Sequence, residues 1–210
     1  MPTKISAKEW MQDMEKMARG AFKDHHMAVI GPGHWMLRNP KKSQYWCDIV
    51  VIANRGISVW GDIDGCFFAY CSGAQTPEAV IEWMAKADLS YYGRQKASIG
   101  MGGEDVGVVD YVDEVALYDL DEILKRESEN YGEDTWNKIK DEFTNAILTA
   151  KRSIKEGEHI KIVQDTLLSD MIGIDNDAWE WTHGIGKVTS VRVIYALKAI
   201  ERLHQLLLVE

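Results

Sequence analysis

Two aspartates, Asp62 and Asp64, flank Ile63 in the run Gly61-Asp62-Ile63-Asp64-Gly65, and they come nearest to a metal motif in this chain. Hard carboxylate oxygens suit Mg2+ or Ca2+, and His34 is the histidine that could join them in a small metal-assisted hydrolase. Two carboxylates alone make a poor site. Asp-Gly is also what a tight hairpin requires, because such turns need positive φ, and Asp62 can accept backbone N–H groups in an Asx turn. The turn is the reading taken here, with the hydrolase as the alternative, and no cofactor is expected.

Other chemistry fares no better. His25, His26 and His34, with Cys47 and Cys66, invite zinc, but adjacent histidines on an extended chain point to opposite faces. Neither a Cys-x-x-Cys nor a spaced histidine pair accompanies them, and a closed zinc site needs four ligands. No serine stands in a Gly-x-Ser-x-Gly elbow. Gly100-Met101-Gly102-Gly103 lacks the lysine of a phosphate-binding loop and runs into Glu104-Asp105.

Two surfaces remain. The chain has eight tryptophans, and Trp179-Glu180-Trp181-Thr182-His183 lies in a polar connection outside any periodic run. Trp179, Trp181 and His183 are therefore candidate partner contacts, since tryptophan anchors interfaces; the bland reading is satellite core. The second surface is acidic. The net charge is −9, and residues 104–142 alone carry fourteen Asp/Glu against four Lys/Arg. Glu122, Glu129, Glu133 and Asp141 recur at spacings that align side chains on helical faces. Such a surface repels phosphates and attracts basic partners, so direct nucleic-acid binding is not expected. A solvated helical face would look the same in sequence.

The elements that must position these groups are readable. Ser6 and Glu9 form a capping box ahead of Trp10, Met14, Met17 and Ala21, predicting a helix over about 7–23. Short apolar runs then alternate with turns from about 27 to 71, through Asn39-Pro40, Asn54-Arg55-Gly56 and Asp62–Gly65. Runs this close must pair antiparallel, as a meander of three or four strands. Thr76-Pro77 starts a helix. Further helices are predicted from Asp119 or Asp121, from Thr135, over about 158–171, and over about 189–207. In the last, Leu197, Ile200 and Leu203 mark a buried face. Leu206-Leu207-Leu208 exceeds one stripe and points to a homodimer through this helix.

The expected fold is one α+β domain over 1–210, with a sheet-containing part at about 1–103 and a mainly helical, acidic part at about 104–210. Apolar residues at 46% and charged residues at 27% are globular composition. Three cysteines make no disulfide framework, and no apolar run approaches the roughly 20 residues of a membrane helix. A cytoplasmic protein without membrane contact is the expectation.

Leu37-Arg38-Asn39-Pro40, then Tyr45-Trp46, then the Gly61–Gly65 hairpin and its aromatic strand resemble a family of small bacteriophage-encoded accessory proteins. Tyr91–Ala97 and Tyr195–Ile200 are also similar, and the resemblance is strongest over about residues 34–97. It implies a phage or prophage gene, a bacterial host cytoplasm and action on a host component. The functional expectation is a binding protein that inhibits or modulates a host macromolecule, of the anti-defence or anti-CRISPR type, through its acidic and aromatic surface. The partner would be a host protein, one that itself binds nucleic acid being the natural target.

Overall fold

The computed structural model describes residues 3–52, 55–63, 65–69, 76–86, 97–98, 109–127, 134, 137, 141 and 185–209. It is an α+β protein with an N-terminal helix, an antiparallel sheet and a C-terminal helix. Helix α1 (Ala7–Phe22) starts at the predicted box: the Ser6 N–H donates to Glu9 Oε2 at 3.0 Å and the Glu9 N–H to Ser6 Oγ at 3.2 Å.

The chain forms two compact units, Met1–Trp10 with Tyr111–Val188, and Met11–Asp110 with Thr189–Glu210. In the first, helix α3 (Asp113–Glu127) packs Val115, Ala116 and Leu117 into the core with Ile185 and Val188. The N-terminal segment joins it through Ile5 N–H to Glu114 O and a Lys4–Asp121 ion pair. This helix begins six residues before Asp119. Asp113 and Glu114 occupy its first turn, where carboxylates favour the dipole. Asp119 caps nothing at that end, because its carboxylate accepts the Gly186 N–H at 3.0 Å instead.

The second unit holds the sheet. Strands β1 (His26–Gly31), β2 (His34–Arg38), β3 (Cys47–Ile52), β4 (Gly56–Gly61) and β5 (Cys66–Ala69) follow one another as an antiparallel meander, and the two-residue β6 (Ala97–Ser98) pairs with β5. The predicted meander is therefore one strand longer than expected, because His26–Gly31 pairs fully with β2 up to a bulge at Ile30. A separate two-stranded sheet joins β7 (Val109–Tyr111) and β8 (Lys187–Thr189).

Register separates the sheet's faces. Trp35, Ile49, Val59 and Cys66 align across β2–β5, as do Leu37 with Cys47 and Val51 with Ile57 and Phe68. Most of these are fully buried. Helices α2 (Pro77–Ala85) and α4 (Val191–Leu207) pack on each other, and α4 reaches β1 and β5. Ile81, Met84, Ile194, Ile200 and Leu203 fill that layer. The Thr76 hydroxyl caps α2 from Ala79 N–H, and the Asp110 carboxylate accepts the Val191 N–H at 2.8 Å where α4 begins. Leu197, Ile200 and Leu203 are buried as predicted, whereas Leu208 is 72% exposed. The closing helix thus belongs with the sheet, although by position it falls in the acidic half.

Candidate binding face on the sheet

Strand alternation puts the even-numbered residues of β2, β3 and β4 on the face opposite the helices. Across it, His34 aligns with Val50 and Ser58, while Met36 aligns with Asp48 and Trp60. This face keeps water contact: Trp60 is 40% exposed and Ile52 is 39% exposed.

A polar cluster sits in the middle of this apolar surface. His34 Nε2 lies 2.8 Å from Asp48 Oδ1, and the His34 ring is 6.0 Å from the Trp60 ring at a tilt of 51°. A carboxylate only accepts, so Nε2 carries the proton and Nδ1 is left for other work. The Asp48 side chain is 16% exposed and the His34 side chain 30% exposed. One carboxylate is therefore sunk between an imidazole and an indole. Such a cradle suits an incoming cation, with the carboxylate as charge partner and the Trp60 face as a cation–π platform.

It does not suit nucleophilic catalysis. Ser58 is a hydroxyl on this face, two strands from His34. Strands lie about 4.8 Å apart, so those backbones are separated by roughly 9–10 Å, against the roughly 2.6–3.2 Å that activation of a hydroxyl needs.

The residues singled out in the sequence fall as follows. Asp62 lies in the turn after β4, exposed, with its N–H donating to Trp46 O at 3.1 Å, and Gly65 has φ +76°, as a tight turn demands. Asp64 lies outside the described residues. His34 is engaged by Asp48, and no three His, Cys, Asp or Glu side chains among the described residues converge as for a metal. Burial pushes the Cys47 and Cys66 thiols up to about 12, so both stay protonated at neutral pH.

Of the acidic candidates, Glu122 is exposed and accepts from Lys125 Nζ at 2.6 Å. Asp141 is helical and exposed. Glu129 and Glu133 lie outside the described residues, as do Trp179, Trp181 and His183. The helix they were expected to extend is partly compensated: Asp121 pairs with Lys4, and Asp119 turns inward, where burial raises its carboxyl above the usual range. A cavity of about 150 Å3 between α1 and α4 is lined by Arg19, Phe22, Lys198, Glu201 and Arg202. Arg19 and Lys198 there both bridge Glu15 and Glu201, and Arg202 donates to the His25 carbonyl.

Sequence reasoning passed over Asp48 and Trp60. The signal was present in Tyr45–Ala53, where Asp48 alone breaks an apolar strand and alternates away from Cys47 and Ile49. No protein-family model, curated protein or solved structure matches this chain.

Proposed function

We propose that this is a binding protein that modulates a basic host macromolecule, docking it on the outer face of the sheet. The observation that carries this reading is the Asp48 carboxylate held by His34 beside Trp60 on an exposed apolar strand surface. Apolar side chains supply area, and the sunken acid supplies specificity for an arginine or lysine of the partner. The chain's net charge of −9 favours encounter with a basic surface. The likeness of residues 34–97 to phage accessory proteins supports a bacterial cytoplasmic setting and an inhibitory, anti-defence role. The acidic candidates Glu122 and Asp141 then steer association rather than form its centre.

A short arginine-rich peptide titrated into isotope-labelled protein tests the docking face. The Trp60 indole and His34 ring signals should shift saturably, and Asp48→Asn should weaken binding about tenfold, the cost of one charge-assisted contact. Shifts confined to α3 would move the binding surface to the acidic helix. Shifts unchanged by Asp48→Asn would sink the proposed cradle.

A further inference from the structure

The link between β2 and β3, Asn39–Trp46, is far more firmly built than an exposed connection needs. Asn39 is buried, its Oδ1 accepts the Lys41 N–H at 2.9 Å, and its carbonyl accepts the Lys42 N–H at 3.3 Å. Tyr45 has φ +61°, a left-handed conformation in which a ring-bearing L residue is strained. Such strain persists only where the surroundings impose it.

His25 imposes it. Its ring is buried, and Nε2 lies 3.1 Å from the Tyr45 carbonyl. That oxygen only accepts, so Nε2 holds the proton and donates. Arg202 fixes His25 in turn, donating from Nε and Nη2 to its carbonyl at 3.3 and 3.0 Å. Phe22 meets the His25 ring edge-on at 5.1 Å, and Tyr195 lies 5.5 Å from the Tyr45 ring. On the far side the Trp46 carbonyl sits against Gly61, where an added Cβ would come within 2.3 Å of it. The backbone is clamped at both ends, yet Tyr45 and Trp46 remain 37% and 38% exposed.

What the clamp displays is cationic and aromatic. Arg38, Lys41 and Lys42 are exposed, and the stretch 38–46 holds no carboxylate. Exposed His26 lies opposite Arg38 in register. The opposing carboxylates nearby are Asp24 beside His25, and Asp48 and Asp62 beside Cys47, against Arg38, Lys41, Lys42 and the Lys23 that precedes Asp24. The balance stays positive. The negative net charge comes from residues 104–142, which alone hold fourteen acids, whereas the stretch 38–46 holds three cations and no carboxylate.

We infer that the Arg38–Trp46 loop is a preformed contact for single-stranded nucleic acid, with Arg38, Lys41 and Lys42 meeting phosphates and Tyr45 and Trp46 stacking on bases. Half-exposed rings beside cations fit unpaired bases, whose faces a duplex hides. An acidic protein segment would use the lysines but leave the two rings without a role. Arg38 ends β2 on the outer face, so this contact adjoins the sheet face around Asp48. A protein that occupies a nucleic-acid-binding host factor could use both.

Fluorescence anisotropy of a labelled oligothymidylate of about a dozen nucleotides, a length within single-strand site sizes, tests it on the full chain. Binding should weaken with salt, and Lys41→Glu with Lys42→Glu should flatten the log–log salt slope by about 1.4. Trp46→Ala should weaken affinity about tenfold, as expected for one lost stacking partner. The lysine side chains are exposed, so the double variant should keep the wild-type urea midpoint, which separates lost binding from lost folding. Salt-insensitive binding, or an unchanged slope in the double variant, overturns the proposal. So does wild-type protein that ignores the oligonucleotide but binds polyglutamate, which would identify an acidic protein segment as the occupant.

Discussion

Replacing Ile200 with alanine tests the central packing claim, that α4 closes the sheet's core. Ile200 has no solvent exposure and lies among the largest fully buried side chains. The substitution removes three carbons, worth roughly 2.4 kcal/mol at about 0.8 kcal/mol per methylene. If half or more of the vacated volume persists, a cavity on the order of 40–80 Å3 adds about 1–2 kcal/mol. The expected loss is therefore about 3–4 kcal/mol, or a melting temperature lower by roughly 10 °C for a chain of this size. In urea, at about 2 kcal/mol per molar, the midpoint should fall by roughly 1.5–2 M. Met17→Ala is the internal control, since Met17 is 58% exposed and should stay within about 0.5 kcal/mol of wild type. A loss under about 1 kcal/mol at Ile200 would mean that α4 does not cover the sheet, and the description of the second unit would fail with it.

Stability should depend on pH through His25, whose burial lowers its pKa below the usual histidine value. The unfolded chain then binds the proton first, so stability is complete above about pH 6.5 and falls as pH drops below it; urea midpoints at pH 7.5 and 5.0 should differ less in His25→Gln. Gly61→Ala should cost at least about 2 kcal/mol, because φ is +135° and the new Cβ would lie 2.3 Å from a backbone oxygen. Gly20→Ala should stabilise by about 0.5–1 kcal/mol, since it is helical and nothing lies within 4 Å of its Cβ position; equal urea midpoints for the two glycine variants would contradict both. If Leu206, Leu207 and Leu208 form the dimer contact suggested by the sequence, replacing Leu208, which is 72% exposed, by serine should shift a sedimenting dimer toward monomer. A wild-type monomer at tens of micromolar would exclude that contact.

How far the fold can be read from the chain depends on how local its causes are. Ser6 with Glu9, Thr76 with Pro77, and the apolar spacing of 193–203 act within a turn or two of helix, and those elements lie where the pattern puts them. The meander is legible for the same reason, as tight turns leave antiparallel pairing no rival. The start of α3 is not, because Asp119 looks like a cap until Gly186, 67 residues away, is seen to take its carboxylate. The candidate face was half legible. Alternation separates Asp48 from Cys47 and Ile49, but which side of the sheet stays open is decided by α2 and α4, and nothing in β3 records that choice. The His25–Tyr45 clamp left no local trace at all, for its cause is a hydrogen bond between two loops.

The second unit is assembled from two stretches of chain, with Tyr111–Val188 between them. During synthesis at about 5–20 residues per second, that intervening stretch occupies roughly 4–16 s. Through that interval the strands bearing Leu37, Ile49, Ile57 and Phe68 have emerged, while the helix bearing Ile194, Ile200 and Leu203, which reaches β1 and β5, has not yet been made. A nascent chain would present a greasy, half-finished sheet to every chaperone and every neighbouring polysome. Yield in a cell is thus governed by how that wait is survived, and slow codons within 111–188 would lower soluble protein without changing a single residue.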